Sequence, residues 1–327
     1  MLMQRTIKVV ERDGFLRRSF PCTTVAEFGR GLFRPGDPSR LFDPAGKEQP
    51  VQVDVVRSWE DGSVRTAAIT LPVTLPARGE GACRFEYGDG ATPAARLRNP
   101  VVVRTSGEPI EVQQGPVTCR VRRQGFNLVD QVVFNDRAFL RPGARGAVLV
   151  LKDGQELCPE GETRVTVETQ GPWSARLRAE GAYPGGYRFI TALTFVSGKS
   201  WLMAEHEVVS GDVAQVASVV VEADFNLPAG PLSTAFGARR RADGRPTSWV
   251  VVTDGVLTVD AATVGAWSET GSVRHEVEPD GRFRAIFPFE SRSCVTYFHY
   301  LLCPPDDVNN TPAAAMAADP ECRVILM

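Results

Sequence analysis

Arg57-Ser58-Trp59-Glu60-Asp61-Gly62-Ser63-Val64-Arg65, preceded by Pro50-Val51-Gln52-Val53, is the stretch that decides the architecture. Asp61-Gly62 lies between two runs that alternate apolar and polar residues. A tight reversal needs a residue at positive φ, and Gly adopts that conformation without a steric cost, so the pattern predicts a β-hairpin turning at Asp61-Gly62. The same grammar recurs along the chain. Residues 51–56, 66–73, 101–105, 117–121, 147–151, 165–168 and 174–179 are short runs, β-branched or alternating. Most are bounded by turn formers such as Pro35-Gly36-Asp37, Pro142-Gly143, Asp153-Gly154 and Pro184-Gly185-Gly186. Regular short strands with such punctuation predict an all-β chain built from barrels or sandwiches. Helical periodicity is confined to residues 313–318, barely two turns.

With 327 residues, the chain has room for one large domain or two ordinary ones, each able to bury a core. A hydrophobic share of 43% and a charged share of 23% are those of a globular protein. A formal charge of −2 gives no general pull toward nucleic acid or an anionic membrane. The first residues, Met1-Leu2-Met3-Gln4-Arg5-Thr6, carry no apolar core of a signal peptide, and no stretch approaches the roughly 18 apolar residues of a membrane span. The expectation is a chain without a span, cytoplasmic unless it is part of a virion. Cys22, Cys83, Cys119, Cys158, Cys294, Cys303 and Cys322 form no C-x-x-C pair, which points to free, mostly buried thiols.

Around the hairpin, Phe28-Gly29-Arg30-Gly31-Leu32-Phe33 lies upstream and Leu75-Pro76-Ala77-Arg78-Gly79 downstream. In this order the three pieces resemble the N-terminal barrel of the exo-rhamnogalacturonan lyase-like family, a small all-β module called a RIFT barrel. Segments similar to Trp59-to-Arg65, also preceded by Pro-Val-Gln-Val, occur in large tail proteins of bacterial viruses. Past Leu97-Arg98-Asn99-Pro100 come Gly115-Pro116-Val117-Thr118-Cys119-Arg120-Val121 and Gln170-Gly171-Pro172-Trp173-Ser174-Ala175-Arg176. Residues 193–201 then run into Glu205-His206-Glu207-Val208, an order similar to the central β-sandwich of the same family. The resemblance implies a RIFT-like β-barrel over residues 1–100, an antiparallel β-sandwich over 101–303 and a C-terminal tail over 304–327. The family's lyase site is assigned to a helical toroid after the sandwich. No helical stretch of that kind appears here, so the resemblance carries over no catalytic residue.

Two sets of side chains are candidates for holding carbohydrate. Trp59, Asp61 and Arg65 offer an aromatic face for pyranose C–H groups beside a charged pair for hydroxyls; their plain alternative is core, turn and local ion pair. Trp173, Tyr183 and Tyr187, with Trp201, form an aromatic set near Gly/Pro turns, where rim aromatics hold sugars in many β-sandwich modules; core packing is their alternative. Glu205 and Glu207 share one face of a strand, about 6–7 Å apart along it, which overlaps the spacing of glycosidase acid/base pairs. A strand with one wet face and His206 on the apolar side explains them equally. Cys294, His299 and Cys303 fall in one apolar strand rather than at ligand spacing, so no metal site is expected. Phosphate-loop, dinucleotide and nucleophile-elbow signatures are missing, and no cofactor is expected. Arg239-Arg240-Arg241, with Arg245, reads as a solvated loop or a docking contact to an acidic partner.

Without the toroid, the expectation is a non-catalytic structural protein of a large assembly. A bacteriophage tail, baseplate or decoration component fits, with other copies of itself and neighbouring virion proteins as partners and host-surface glycan as a further contact. The alternatives are a polysaccharide-lyase-type carbohydrate-active enzyme, truncated or partnered, and a stand-alone carbohydrate-binding module.

Overall fold

A computed structural model describes residues 1–12, 16–134, 136–199, 201–227, 230–240, 246–253, 258–264, 273–289, 296–303 and 324–326. The chain is built from β-strands, and the strand pairs with a described register are all antiparallel. Among the described residues the only helical elements are two three-residue 3-10 turns, Pro184–Gly186 and Val213–Gln215. No helix there is long and apolar enough to cross a membrane. Residues 313–318, Asn309-Asn310-Thr311, Arg241, Arg245 and Cys294 lie outside the described residues.

Contacts divide the chain into two units. Unit 1 comprises Met1–Pro100, Gly171–Ser174 and Ala317–Met327. Its first strands are β1 (Met3–Val10), β2 (Arg17–Glu27), β3 (Ser39–Phe42) and β4 (Glu48–Gln49). The hairpin and its successor follow as β5 (Gln52–Ser58), β6 (Val64–Leu75) and β7 (Glu80–Tyr87). Unit 2 comprises Val101–Gln170 and Ala175–Met316. It opens with β8 (Val101–Arg104), β9 (Ile110–Gln114), β10 (Val117–Val121), β11 (Gln131–Phe134) and β12 (Arg137–Leu140). Next come β13 (Gly146–Leu151), β14 (Glu156–Leu157), β15 (Glu160–Gln170), β16 (Ser174–Ala182), β17 (Arg188–Val196) and β18 (Trp201–Ser210). The last are β19 (Val216–Asp224), β20 (Ser233–Arg240), β21 (Pro246–Thr253), β22 (Thr258–Val264), β23 (Arg274–Val277), β24 (Arg282–Pro288) and β25 (Thr296–Cys303). Back in unit 1, β26 (Val324–Leu326), from the stretch read as a tail, pairs with β1 in the register Val9↔Val324.

Unit 1 has two sheets, β26-β1-β7-β3-β4 and β2-β6-β5. The predicted hairpin joins β5 and β6: Ser58 pairs with Val64, Gly62 sits at φ 77°, and Trp59 N–H donates to Ser63 O at 2.8 Å. Val64, Ala67, Ile69, Leu71, Val73 and Leu75 of β6 are all buried. Phe28, Phe33, Phe85 and Tyr87 meet ring to ring at 5.0–5.6 Å. Such clusters add aromatic pair energy to the area they remove from water.

Unit 2 has sheets β12-β11-β10-β9-β8, β14-β13-β19-β24-β23 and β15-β16-β17-β18-β25-β22-β21-β20. Period-two burial supplies the core. Ala175, Leu177 and Ala179 point inward from β16, Val219 and Val221 from β19, and Phe283, Ala285 and Phe287 from β24. Cys83 and Cys119 are buried free thiols, Cys158 is a half-buried one, and Cys22 is buried; burial pushes Cys119 up to about 12 and Cys83 up to about 11.

A polar chain runs through this core. Tyr183 Oη donates to Ala147 O on β13 at 3.0 Å, so it must accept at 3.0 Å from His206 Nε2–H on β18. The neutral ring then accepts at Nδ1 from Thr191 Oγ1 on β17, 2.8 Å away. Burial holds His206 neutral, down to about 3 from 6.5, and His275, stacked on Phe283, down to about 4. The unfolded chain takes up protons on both imidazoles below pH 6.5, whereas the folded one does not until about pH 3–4. Stability is therefore complete above pH 6.5 and falls as pH drops through that window, by about 1.4 kcal/mol per pH unit for each histidine. Urea titrations from pH 7 to pH 4 should show this slope. Tyr183→Phe, which removes a donor to Ala147 O and the acceptor of the His206 N–H, should cost about 1–3 kcal/mol at pH 7.

Candidate functional site

At the hairpin tip the structure brings Trp59, Asp61 and Arg65 together. Asp61 Oδ1 accepts from Ser63 N (3.0 Å) and Ser63 Oγ (2.6 Å), while Oδ2 accepts from Arg30 Nε at 3.4 Å. The Ser63 bonds hold the Asp61 carboxyl below its usual range. Buried Ser63 Oγ also accepts from Gly31 N at 2.9 Å, tying the upstream Phe28–Phe33 segment to the turn. Half-buried Trp59 donates through Nε1 to Phe28 O, and the Arg65 guanidinium lies 4.8 Å from the centre of its ring. The cation thus occupies the aromatic face that a sugar would use.

The second aromatic set is buried. Trp173 is 5% exposed; its Nε1 donates to Pro50 O at 2.8 Å and its N–H to Gln52 Oε1 at 2.9 Å, all within unit 1. Tyr183 belongs to the core chain described above. Tyr187 is 5% exposed and donates to Asp212 O at 3.1 Å, with its ring packed where a Gly211 side chain would stand. Apolar burial thus takes Trp173 and Tyr183 away from any solvent-facing platform and leaves Tyr187 almost wholly covered. The side chain of Trp201 lies outside the described part. Glu205 is engaged by Arg176, which also holds Glu168 at 3.0 Å, so it is not an unpaired carboxylate. Among the described residues no group of three metal-ligating side chains converges.

Sequence reasoning missed a cleft of about 600 Å³ on unit 2, where β15 begins and β16 ends. Glu160 pairs with Ala182, but the next pair is Arg164 with Glu180, so Gly161, Glu162 and Thr163 bulge out of the ladder. Thr163 N–H donates to Arg123 O at 3.0 Å and anchors the bulge. The resulting hollow is lined by Glu160, Glu162, Arg164, Glu180, Arg188 and Tyr187 over a floor that includes Gly161, Gly181 and Gly186. Arg178, bonded to Glu180 at 2.7 Å, holds that carboxyl below its usual range, and Arg164 and Arg188 add to the positive field. Among the described residues Glu160 and Glu162 have no hydrogen-bonded or ion-paired side-chain partner. A hollow of this volume with carboxylate acceptors facing guanidinium donors suits a ligand rich in hydroxyl groups, each of which both donates and accepts.

No protein-family model matches the sequence, and no curated protein matches it significantly. Solved structures do. An α-mannosidase from Enterococcus faecalis V583 matches 97% of this chain with a TM-score of 0.63 at 9% identity. A glycosyl hydrolase family 38 protein from Enterococcus faecalis matches 97% with a TM-score of 0.61 at 10% identity. The shared object is the fold. The chain spans 45% and 46% of those chains, less than half of each.

This likeness corrects the expectation of a bacteriophage tail, baseplate or decoration protein without enzymatic role. Nearly the whole chain follows the fold of proteins named as glycosidases, which argues against a purely structural virion component and against a strict non-enzyme assignment. The all-β expectation holds at the level of several antiparallel sheets like those of these glycosidase structures. At the hairpin, Ser63→Ala would strip Gly31 N–H and Asp61 of a buried partner, and should lower stability by about 1–3 kcal/mol in chemical denaturation.

Proposed function

We propose that this chain is part of a carbohydrate-active enzyme of the glycosidase type, and that the hollow at β15 and β16 holds its saccharide. The observation that carries the reading is the 97% coverage by the α-mannosidase structure. The cleft supports it chemically. Glu160 and Glu162 supply acceptors for sugar hydroxyl protons, Arg164 and Arg188 supply donors, and the exposed Gly161 and Gly186 let a ring approach the backbone. Mannosides are the first substrate class to test, because the matched structure is that of an α-mannosidase.

A second reading rests on the Trp59–Arg65 hairpin and the segments flanking it, which resemble those of the exo-rhamnogalacturonan lyase-like family. On this reading unit 1 is a RIFT-like barrel closed between its two sheets, unit 2 is the following sandwich, and the substrate is a pectic polysaccharide.

Incubation with α-mannosides and with pectic polysaccharides separates the two. Release of reducing sugar from the former is expected, and new unsaturated ends from the latter would favour the lyase reading instead. Glu162→Gln and Arg164→Gln sit on exposed positions and should each weaken saccharide binding about tenfold with an unchanged melting temperature. A protein that neither turns over nor binds any of these saccharides would remove both readings.

A further inference from the structure

We propose that a proline-walled cleft of unit 1, at Arg40 and Arg96, binds a small anionic group, a carboxylate or a phosphate. The cleft has a volume of about 260 Å³, and Arg40, Arg96, Ser39 and Glu48 line it together with Pro50 and Leu97. Arg40 is a guanidinium fixed in advance. Its Nε donates to Glu86 Oε2 at 2.6 Å, Glu86 is itself buried, and the guanidinium carbon lies 5.1 Å from the centre of the Phe42 ring. One edge and one face are therefore occupied. The Arg40 charge acts on Glu48 across the cleft, but its two Nη groups make no hydrogen bond among the described residues, and a planar fork of donors matches carboxylate or phosphate oxygens. Because Arg40 is already ordered by Glu86 and Phe42, little side-chain entropy remains to be lost on binding.

The second cation comes from the segment after β7. Glu48 Oε1 accepts from Ala94 N at 2.7 Å and Ala95 N at 3.1 Å, which pins that segment and places the adjacent Arg96 at the cleft. Arg96 has no ion pair or side-chain hydrogen bond among the described residues. Glu48 is the one carboxylate lining the cleft, and those two N–H groups engage it. Glu86, behind Arg40, is shared with Arg84 at 2.9 Å. The lining charge is thus two guanidiniums against one carboxylate that already has donors, an arrangement that favours an anion over a cation. The apolar faces of Pro50, Val51, Pro93 and Leu97 suit a carbon skeleton attached to that anion.

The test uses the full chain and three probes followed by NMR titration: D-glucuronate, inorganic phosphate and, as the uncharged match, D-glucose. Saturable shifts are expected with at least one anion, at an affinity about tenfold or more above that for glucose. Tighter binding of glucuronate assigns a carboxylate-bearing sugar, and tighter binding of phosphate assigns a free phosphate or phosphate ester. Arg96→Gln, on an exposed side chain, should weaken the anion about tenfold with an unchanged melting temperature. Arg40→Lys keeps a charge opposite Glu86 but loses the fork, and should weaken it similarly. No saturable shift with either anion, equal binding of glucose, or anion binding indifferent to both substitutions would overturn the proposal. The substitutions and probes differ from those that test the hollow on unit 2, so failure of one reading leaves the other standing.

Discussion

Because His206 is sealed inside unit 2, both of its ring nitrogens must find protein partners, and that requirement ties separate sheets together. Tyr183 has one proton to give. It goes to Ala147 O on one sheet, which obliges the imidazole on another sheet to donate to the same oxygen. Thr191, one strand over, completes the chain at Nδ1. A buried polar group left unmatched costs more than a matched one contributes, so the chain acts as a register pin more than as a source of net stability. Phe189, tilted against both Tyr183 and His206 with ring centres at 5.1 and 5.3 Å, fills the space around the pin. That packing also accounts for Gly181, where an added Cβ would lie 2.5 Å from the Phe189 ring.

Charge on the surface of unit 2 is managed differently, and the contrast gives the hollow its meaning. Arg145 and Arg284 bracket Glu222 and Glu156 across β13, β14, β19 and β24, and hydrogen bonds from Arg145 hold Glu156 below the usual carboxylate range. On β16, Arg176 pairs with both Glu168 and Glu205, and Arg178 reaches Glu168 as well. Exposed pairs of this kind contribute little stability singly and more as networks. Against these paired ions, Glu160 and Glu162 at the bulge stand without a described side-chain partner.

Much of the architecture was legible in the sequence because β-structure announces itself locally. Asp61-Gly62 marked the β5–β6 reversal, and residues 117–121 coincide with β10. Alternation also placed His206 on the apolar face and Glu205 on the wet one, as observed. The aromatic residues were less readable. Trp173 and Tyr187 have the types and turn-side positions of a sugar platform, yet their hydrogen bonds to Pro50, Gln52 and Asp212 are long-range facts that no local pattern encodes. The hollow was invisible for a related reason: Glu160, Glu162, Glu180 and Arg188 lie on three segments, and only the unequal residue counts between paired positions of β15 and β16 bring them together. At 9–10% identity, the likeness to glycosidase structures resides in strand order and packing, which residue-by-residue reading does not reach.

Two glycines border the hollow, Gly161 in the bulge and Gly186 in the turn Pro184–Gly186. Gly161 at φ +69° and Gly186 at φ +82° have open space where a Cβ would project, so crowding alone does not exclude a larger residue at either place. Backbone handedness does, since L side chains seldom tolerate that conformation. At these two positions the border of the hollow is consequently kept bare by main-chain handedness, and drift there meets a conformational barrier before a side chain can project into it.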